Sequence, residues 1–149
     1  MNYLQNAIDL SRISLEAGQF PAGAVLVTRN SNVYESDPSL AYYHGECMAI
    51  DKAIEAEGYP LSDAVMYASM ESCLMCSSKM YWAGVTQVHF AIPKDKTNTL
   101  YAYEDNVAMN EHIKNFNTRL SVRHDSTLQD EALGLYEAWV KKIENGVRA

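Results

Sequence analysis

Apolar residues along this chain recur at two spacings, and the alternation between them predicts the order of the elements. Residues 2–17 place Leu4, Ile8, Ser11 and Leu15 on one helical face and stop at Gly18, as an amphipathic helix with a glycine stop would. Ala24-Val25-Leu26-Val27 is a short continuous apolar run, which predicts a strand buried on both faces. Residues 28–43 read as a turn, a short strand near Val33 and a loop through Asp37-Pro38. From His44 to Glu57 the spacing turns helical through Cys47, Ile50 and Ile54, and Gly58 with Pro60 ends it. Residues 64–69 read as a second buried strand, residues 73–83 as a helix stopped by Gly84, and residues 86–92 as a third strand followed by Pro93. Residues 94–118 read as polar, aromatic and partly helical. Leu120 and Val122 alternate with polar residues as in a short strand, and residues 127–144 give a last helix through Leu128, Ala132, Leu135, Trp139 and Val140. Such alternation predicts a three-layer α/β/α sandwich, a central sheet covered on both faces by helices.

Composition narrows the class. The 149 residues suit one domain over 1–149, and a chain 48% hydrophobic and 21% charged can bury a real core. Neither repeat nor linker divides it. Twelve Lys and Arg face nineteen Asp and Glu, a formal charge of -7. An acidic chain without a concentrated basic patch is poorly suited to a phosphate backbone, so nucleic acid is not an expected partner and a small molecule is. The N-terminal residues lack a basic segment followed by an apolar one, so no secretory leader is expected, and no apolar run approaches bilayer length. Three cysteines make a poor disulfide framework. Together these features predict a cytoplasmic protein without a membrane segment.

The chemistry-bearing residues lie at two predicted helix starts. His44-Gly45-Glu46 opens one, and Glu71-Ser72-Cys73-Leu74-Met75-Cys76 opens the other just after a strand. Cys73 and Cys76, three apart on a first turn, can both reach one metal, and a helix N-terminus favours their thiolates. His44 adds an imidazole. Thiolate and imidazole are zinc ligands, and three of them leave a fourth position open, as catalytic zinc sites do. Glu46, two residues from His44, is placed to shuttle protons for a water in that position. Each residue alone has a plainer reading: Cys-x-x-Cys as a redox pair, His as a structural residue, Glu as a solvated helix charge. The combination is far more specific than its parts. Cys47, on the apolar face, reads as a core thiol. His89 reads as structural, and His112 and His124 have no metal spacing.

These motifs resemble the cytidine and deoxycytidylate deaminase superfamily, most closely its small bacterial guanine and nucleobase deaminases. Residues 21–27 resemble the family's first strand. Lys79-Met80-Tyr81-Trp82-Ala83 resembles the aromatic segment after the second cysteine, and Ala102-Tyr103-Glu104-Asp105 falls where that group carries an acidic pair that recognises the purine. Glu137-Ala138-Trp139 resembles its last helix. The resemblance implies a mixed sheet of about five strands, a zinc cofactor, a homodimer and hydrolytic deamination with release of ammonia. It implies that the Gly45 and Cys73 backbone holds the ring and that the carbonyl near Glu71 accepts the departing amine. Tyr103, Glu104 and Asp105 become candidate substrate contacts. Trp82 is another, although by residue type it reads more readily as core. Free purine bases fit best, cytosine-type or modified bases stand as the alternative, and a tRNA adenosine or a non-catalytic zinc module fits less well. Three departures stand out. Ser72 replaces the usual proline and is expected to serve as an N-cap. Asn32, the nearest candidate for a substrate-contacting asparagine, has a poor register. Tyr42-Tyr43 precede His44 and either stack on a base or only pack the loop.

Overall fold

The computed structural model describes residues 2–97, 107–117 and 120–146. Helix α1 (Tyr3–Glu16) starts where the Asn2 side chain accepts from the Gln5 N–H at 3.0 Å, satisfying one of the donors that a helix start leaves unpaired. Five strands follow in the predicted places: β1 (Ala24–Val27), β2 (Val33–Glu35), β3 (Ala64–Met70), β4 (Val85–Ile92) and β5 (Ser121–His124). They form one sheet in the order β2-β1-β3-β4-β5. The β2–β1 and β1–β3 pairs are antiparallel, while β3–β4 and β4–β5 are parallel, so the sheet is mixed.

Helices α2 (Gly45–Glu57), α3 (Leu74–Ala83) and the short α4 (Met109–Ile113) cover one face. Helices α1 and α5 (Gln129–Glu144) cover the other. The two-residue period of a strand decides which side chain goes where. Ala24, Leu26, Met66 and Val88 pack with Ile50, Ala53 and Met80 under α2 and α3. Val25, Val27 and Tyr67 turn to α1, and on that same face Leu4, Ile8 and Phe20 meet Tyr136 and Trp139 of α5. This is the three-layer sandwich that the periodicity predicts, with boundaries shifted by one or two residues.

Sheet direction brings two helix starts together. Because β1 runs against β3, Ala24 at the beginning of β1 lies opposite Ala68 near the end of β3. The chain leaving β3 enters α3 at this edge, and α2 begins beside it. Gly45 makes the second placement possible: a Cβ there would lie 3.1 Å from the Ser36 Cβ and 3.3 Å from the Ala24 Cβ. Glycine lets the first turn of α2 press closely on β1, where a Cβ would have to push its neighbours back by a few tenths of an ångström. A Lys79–Asp51 ion pair at 2.7 Å links α3 to α2, and with both side chains partly in water it adds at most about 1 kcal/mol.

Candidate metal centre and its neighbours

His44, Cys73 and Cys76 come together at this edge. His44 is the cap residue of α2 and holds φ 65°, a left-handed conformation that costs a non-glycine residue about 1–3 kcal/mol. Tyr43 precedes it in a short 3₁₀ turn, and the backbone bend turns the imidazole towards α3. Cys73 caps α3 and its Sγ accepts from the Cys76 N–H at 3.4 Å. This corrects the expected N-cap: Cys73 takes the role, and Ser72 lies buried one residue earlier. Ser77 fixes the turn by donating its hydroxyl to the Cys73 carbonyl at 2.7 Å.

The His44 Nδ1 lies 3.4 Å from the Cys73 Sγ and 3.4 Å from the Cys76 Sγ. The three ligand atoms all fall within 4.8 Å of one another, and no other His, Cys, Asp or Glu group of this kind occurs among the described residues. Zinc bonds of about 2.0–2.3 Å in a tetrahedron would put an imidazole nitrogen and a thiolate roughly 3.5 Å apart. The observed spacing fits. The chemistry fits as well, since two cysteines and an imidazole crowded to this distance have no hydrogen-bond arrangement that satisfies them as well as a shared cation would. His44, Cys73 and Cys76 are thus positioned as potential zinc ligands.

The groups of the cluster shift one another's titration. The Cys73 sulfur beside the His44 imidazole pushes it above its ordinary value, against the effect of burial. Contact with Cys47 and Cys73, together with burial, pushes the Cys76 thiol far up, while Cys47 is lowered by its contact with Cys76. Glu46 is on the first turn of α2. Desolvation pushes its carboxyl up, the neighbouring Cys73 adds to this, and its own backbone N–H, the Ser72 hydroxyl and His44 oppose it. The Ser72 hydroxyl faces that carboxylate from outside ordinary hydrogen-bond geometry.

The remaining predicted residues divide. Gly45 and Glu71 are both at the cluster's edge. The Glu71 carboxylate accepts from the Lys94 N–H at 2.9 Å and from the Met109 N–H, tying the end of β4 and the start of α4 to the loop that carries Cys73. Neither that clamp nor the contact between Cys47 and Cys76 was predicted from sequence. Trp82 is not core: it is 70% exposed on α3, lining a hollow of about 250 Å³ with Ser78, Tyr81, Asn115, Phe116 and Asn117. Six residues separate it from Cys76, about 9 Å along the helix axis. Asn32 faces away from the cluster and donates to Glu57 at 3.1 Å. Tyr42 and Tyr43 are exposed and pack against each other, with ring centres 4.7 Å apart. Tyr103, Glu104 and Asp105 lie outside the described residues. Cys47 is a buried core residue as expected, His89 stacks on Tyr67 and His124 stacks on Phe90.

A mixed five-stranded sheet with a His and two Cys at adjoining helix starts defines a class, the zinc-binding deaminases of the cytidine deaminase-like fold. Residues 1–92 match the family model of the cytidine and deoxycytidylate deaminase zinc-binding region, and the chain belongs to that family. It is therefore a hydrolytic deaminase of the nucleobase and nucleoside class, and zinc is its metal. A guanine deaminase of Bacillus subtilis is 31% identical over 148 residues, covering 92% of this chain and 91% of that protein. A probable cytosine deaminase of Schizosaccharomyces pombe is 30% identical over 98 residues, 62% of this chain and 60% of that protein. A tRNA-specific adenosine deaminase of Bacillus subtilis is 34% identical over 96 residues, 59% and 58%. The chain thus matches less than two thirds of the length of the latter two. A solved structure of the protein NE0047 in complex with 2,6-diaminopurine superimposes with TM-score 0.74 at 18% identity, over 92% of this chain and 79% of that one, and shows the shared fold. No helix among the described residues is long and apolar enough to cross a membrane.

Proposed function

We propose that this chain, as one domain over residues 1–149, deaminates a free purine base, guanine or a close analogue, with Glu46 moving the protons. The overall change exchanges one bond for another at a ring carbon. Water's oxygen forms the new C–O bond, the exocyclic C–N bond breaks, and the nitrogen leaves as ammonia with a proton from the water. Zinc supplies a Lewis acid that brings water's pKa from about 15.7 to near 7. His44, Cys73 and Cys76 would hold it. Glu46 would take the water's two protons in turn, passing one to the ring nitrogen and the other to the departing amine. The Gly45 and Cys73 backbone would hold the ring and the carbonyl near Glu71 would receive the amine, with Trp82, Tyr103, Glu104 and Asp105 as further candidate contacts.

What supports this reading is Glu46 itself, a carboxylate on the first turn of α2 that interacts electrostatically with Cys73 and His44, since a merely structural zinc site has no use for a carboxylate there. The purine preference is supported by the guanine deaminase relative, which matches over nearly its whole length. The probable cytosine deaminase of Schizosaccharomyces pombe favours a pyrimidine as the second reading. The formal charge of -7 weighs against tRNA. A homodimer is the proposed assembly, and the cytoplasm the proposed location, where a reducing environment preserves thiolate ligands. Ammonia release from a panel of purine and pyrimidine bases and nucleosides, with Glu46→Gln as control, tests the proposal. Turnover of guanine or a related purine supports it. Turnover of pyrimidines alone keeps the chemistry and discards the substrate, and a Glu46→Gln variant as fast as wild type discards the mechanism.

A further inference from the structure

One buried thiol beside the ligand cluster has no part in this mechanism. Cys47, on the first turn of α2, puts its Sγ 3.5 Å from the Cys76 Sγ, and the two side chains are 7% and 0% exposed. The pair joins α2 to α3 across the seam on which the metal site is built. Cys47 is not itself placed as a ligand, because its sulfur falls outside the group in which all donor atoms lie within 4.8 Å of one another. It touches a ligand instead.

As a ligand Cys76 is a thiolate without a proton, so a hydrogen bond between the two sulfurs then has only one possible donor. We infer that Cys47 is a positioning residue of the metal site, donating its S–H to the Cys76 thiolate and so fixing that sulfur's orientation and partly neutralising its charge. The donor is a mostly buried side chain, 7% exposed. Groups that orient a metal ligand in this way are commonly worth 10- to 100-fold in metal affinity. The inference rests on the assignment of Cys76 as a zinc ligand.

Zinc affinity by chelator competition and the absorption spectrum of the cobalt-substituted protein test it without any substrate. Cys47→Val keeps most of the volume but removes the donor, and Cys47→Ser keeps a donor. Cys47→Val is expected to weaken zinc binding about 10-fold. It should also move the thiolate-to-cobalt charge-transfer band to lower energy, because the sulfur lone pair loses its stabilising proton. Cys47→Ser should restore most of both. Wild-type affinity and an unmoved band in Cys47→Val would overturn the inference, since a packing role alone moves neither. A charge-transfer band with the intensity of three thiolates in the wild type would overturn it differently, by making Cys47 a ligand. A wild type that takes up no metal removes the ligand assignment itself, a result separate from either.

Discussion

Helix α2 has a polar cluster at each end, about 18 Å apart along its axis. At its C-terminal end, Glu57 accepts from the Thr28 hydroxyl at 2.9 Å, the Asn30 amide at 3.1 Å, the Asn32 amide at 3.1 Å and the Tyr34 hydroxyl at 2.8 Å. Four neutral donors saturate one carboxylate, and the cluster is complete. At its N-terminal end, His44, Cys73 and Cys76 crowd together with Cys47 and Glu46, and each group perturbs the others. The first cluster pins the β1–β2 turn to a helix and has nothing left to bind with. The second brings together donors of the kind zinc prefers, at the spacing of zinc ligands. The chemistry and spacing of the donors, rather than the number of polar groups, separate a structural cluster from a site.

Four perturbations sharpen this contrast, beginning with the largest expected effect. Glu46→Gln should lower turnover by about 10²- to 10⁴-fold, measured as ammonia release, while metal analysis still finds zinc. Zinc at a thousand-fold excess over its dissociation constant should stabilise the wild type by about 4 kcal/mol, read from chemical unfolding with and without chelator. Cys76→Ala should show little of that gain. The same stabilisation should weaken as pH falls, because protons compete with zinc for thiols. A zinc effect independent of pH would contradict thiolate ligation.

Glu57→Gln should reverse the pattern, with a lower unfolding midpoint and unchanged kcat and zinc content. The Tyr34 hydroxyl, with Asn32, Thr28 and Asn30, holds the Glu57 carboxyl below its ordinary range, against desolvation. A depressed folded-state pKa means that this contribution is fully present above the unfolded pKa, about 4.3, and is lost as pH falls through the folded value. The stability difference between wild type and Glu57→Gln should therefore shrink in acid. A variant that lost activity at unchanged stability would make the far cluster functional. Trp82→Ala should change least, leaving zinc content unchanged and raising KM by no more than a few-fold, because the indole is largely exposed on α3 and is one of several candidate contacts.

Much of this was legible from residue spacing. The strand Ala24–Val27 shows as a short apolar run between turn signals and the helix Gly45–Glu57 as apolar residues spaced three and four apart, and His-x-Glu with Cys-x-x-Cys at two helix starts points to metal chemistry. Trp82 misled because a large aromatic side chain favours burial in general. On α3 the buried face is taken by Cys76, Met80 and Ala83, which leaves the indole outside. Ser72 misled for a related reason: cap preference points to serine, yet the chain turns one residue later, at Cys73.

The sequence by itself determined the order of the elements, the candidate ligand set and the family, because each depends on residues within a turn or two of one another or on a motif read in place. Tertiary structure alone decided that Cys47 touches Cys76, 29 residues away, and that the Glu71 carboxylate joins Lys94 to Met109. It also decided that Asn32 is spent on Glu57. Those contacts join separate helices, strands and loops, and their distances follow from strand order, sheet direction and the close seat of Gly45 on β1. No local period encodes them, because they exist only once the sheet has brought two helix starts to the same edge.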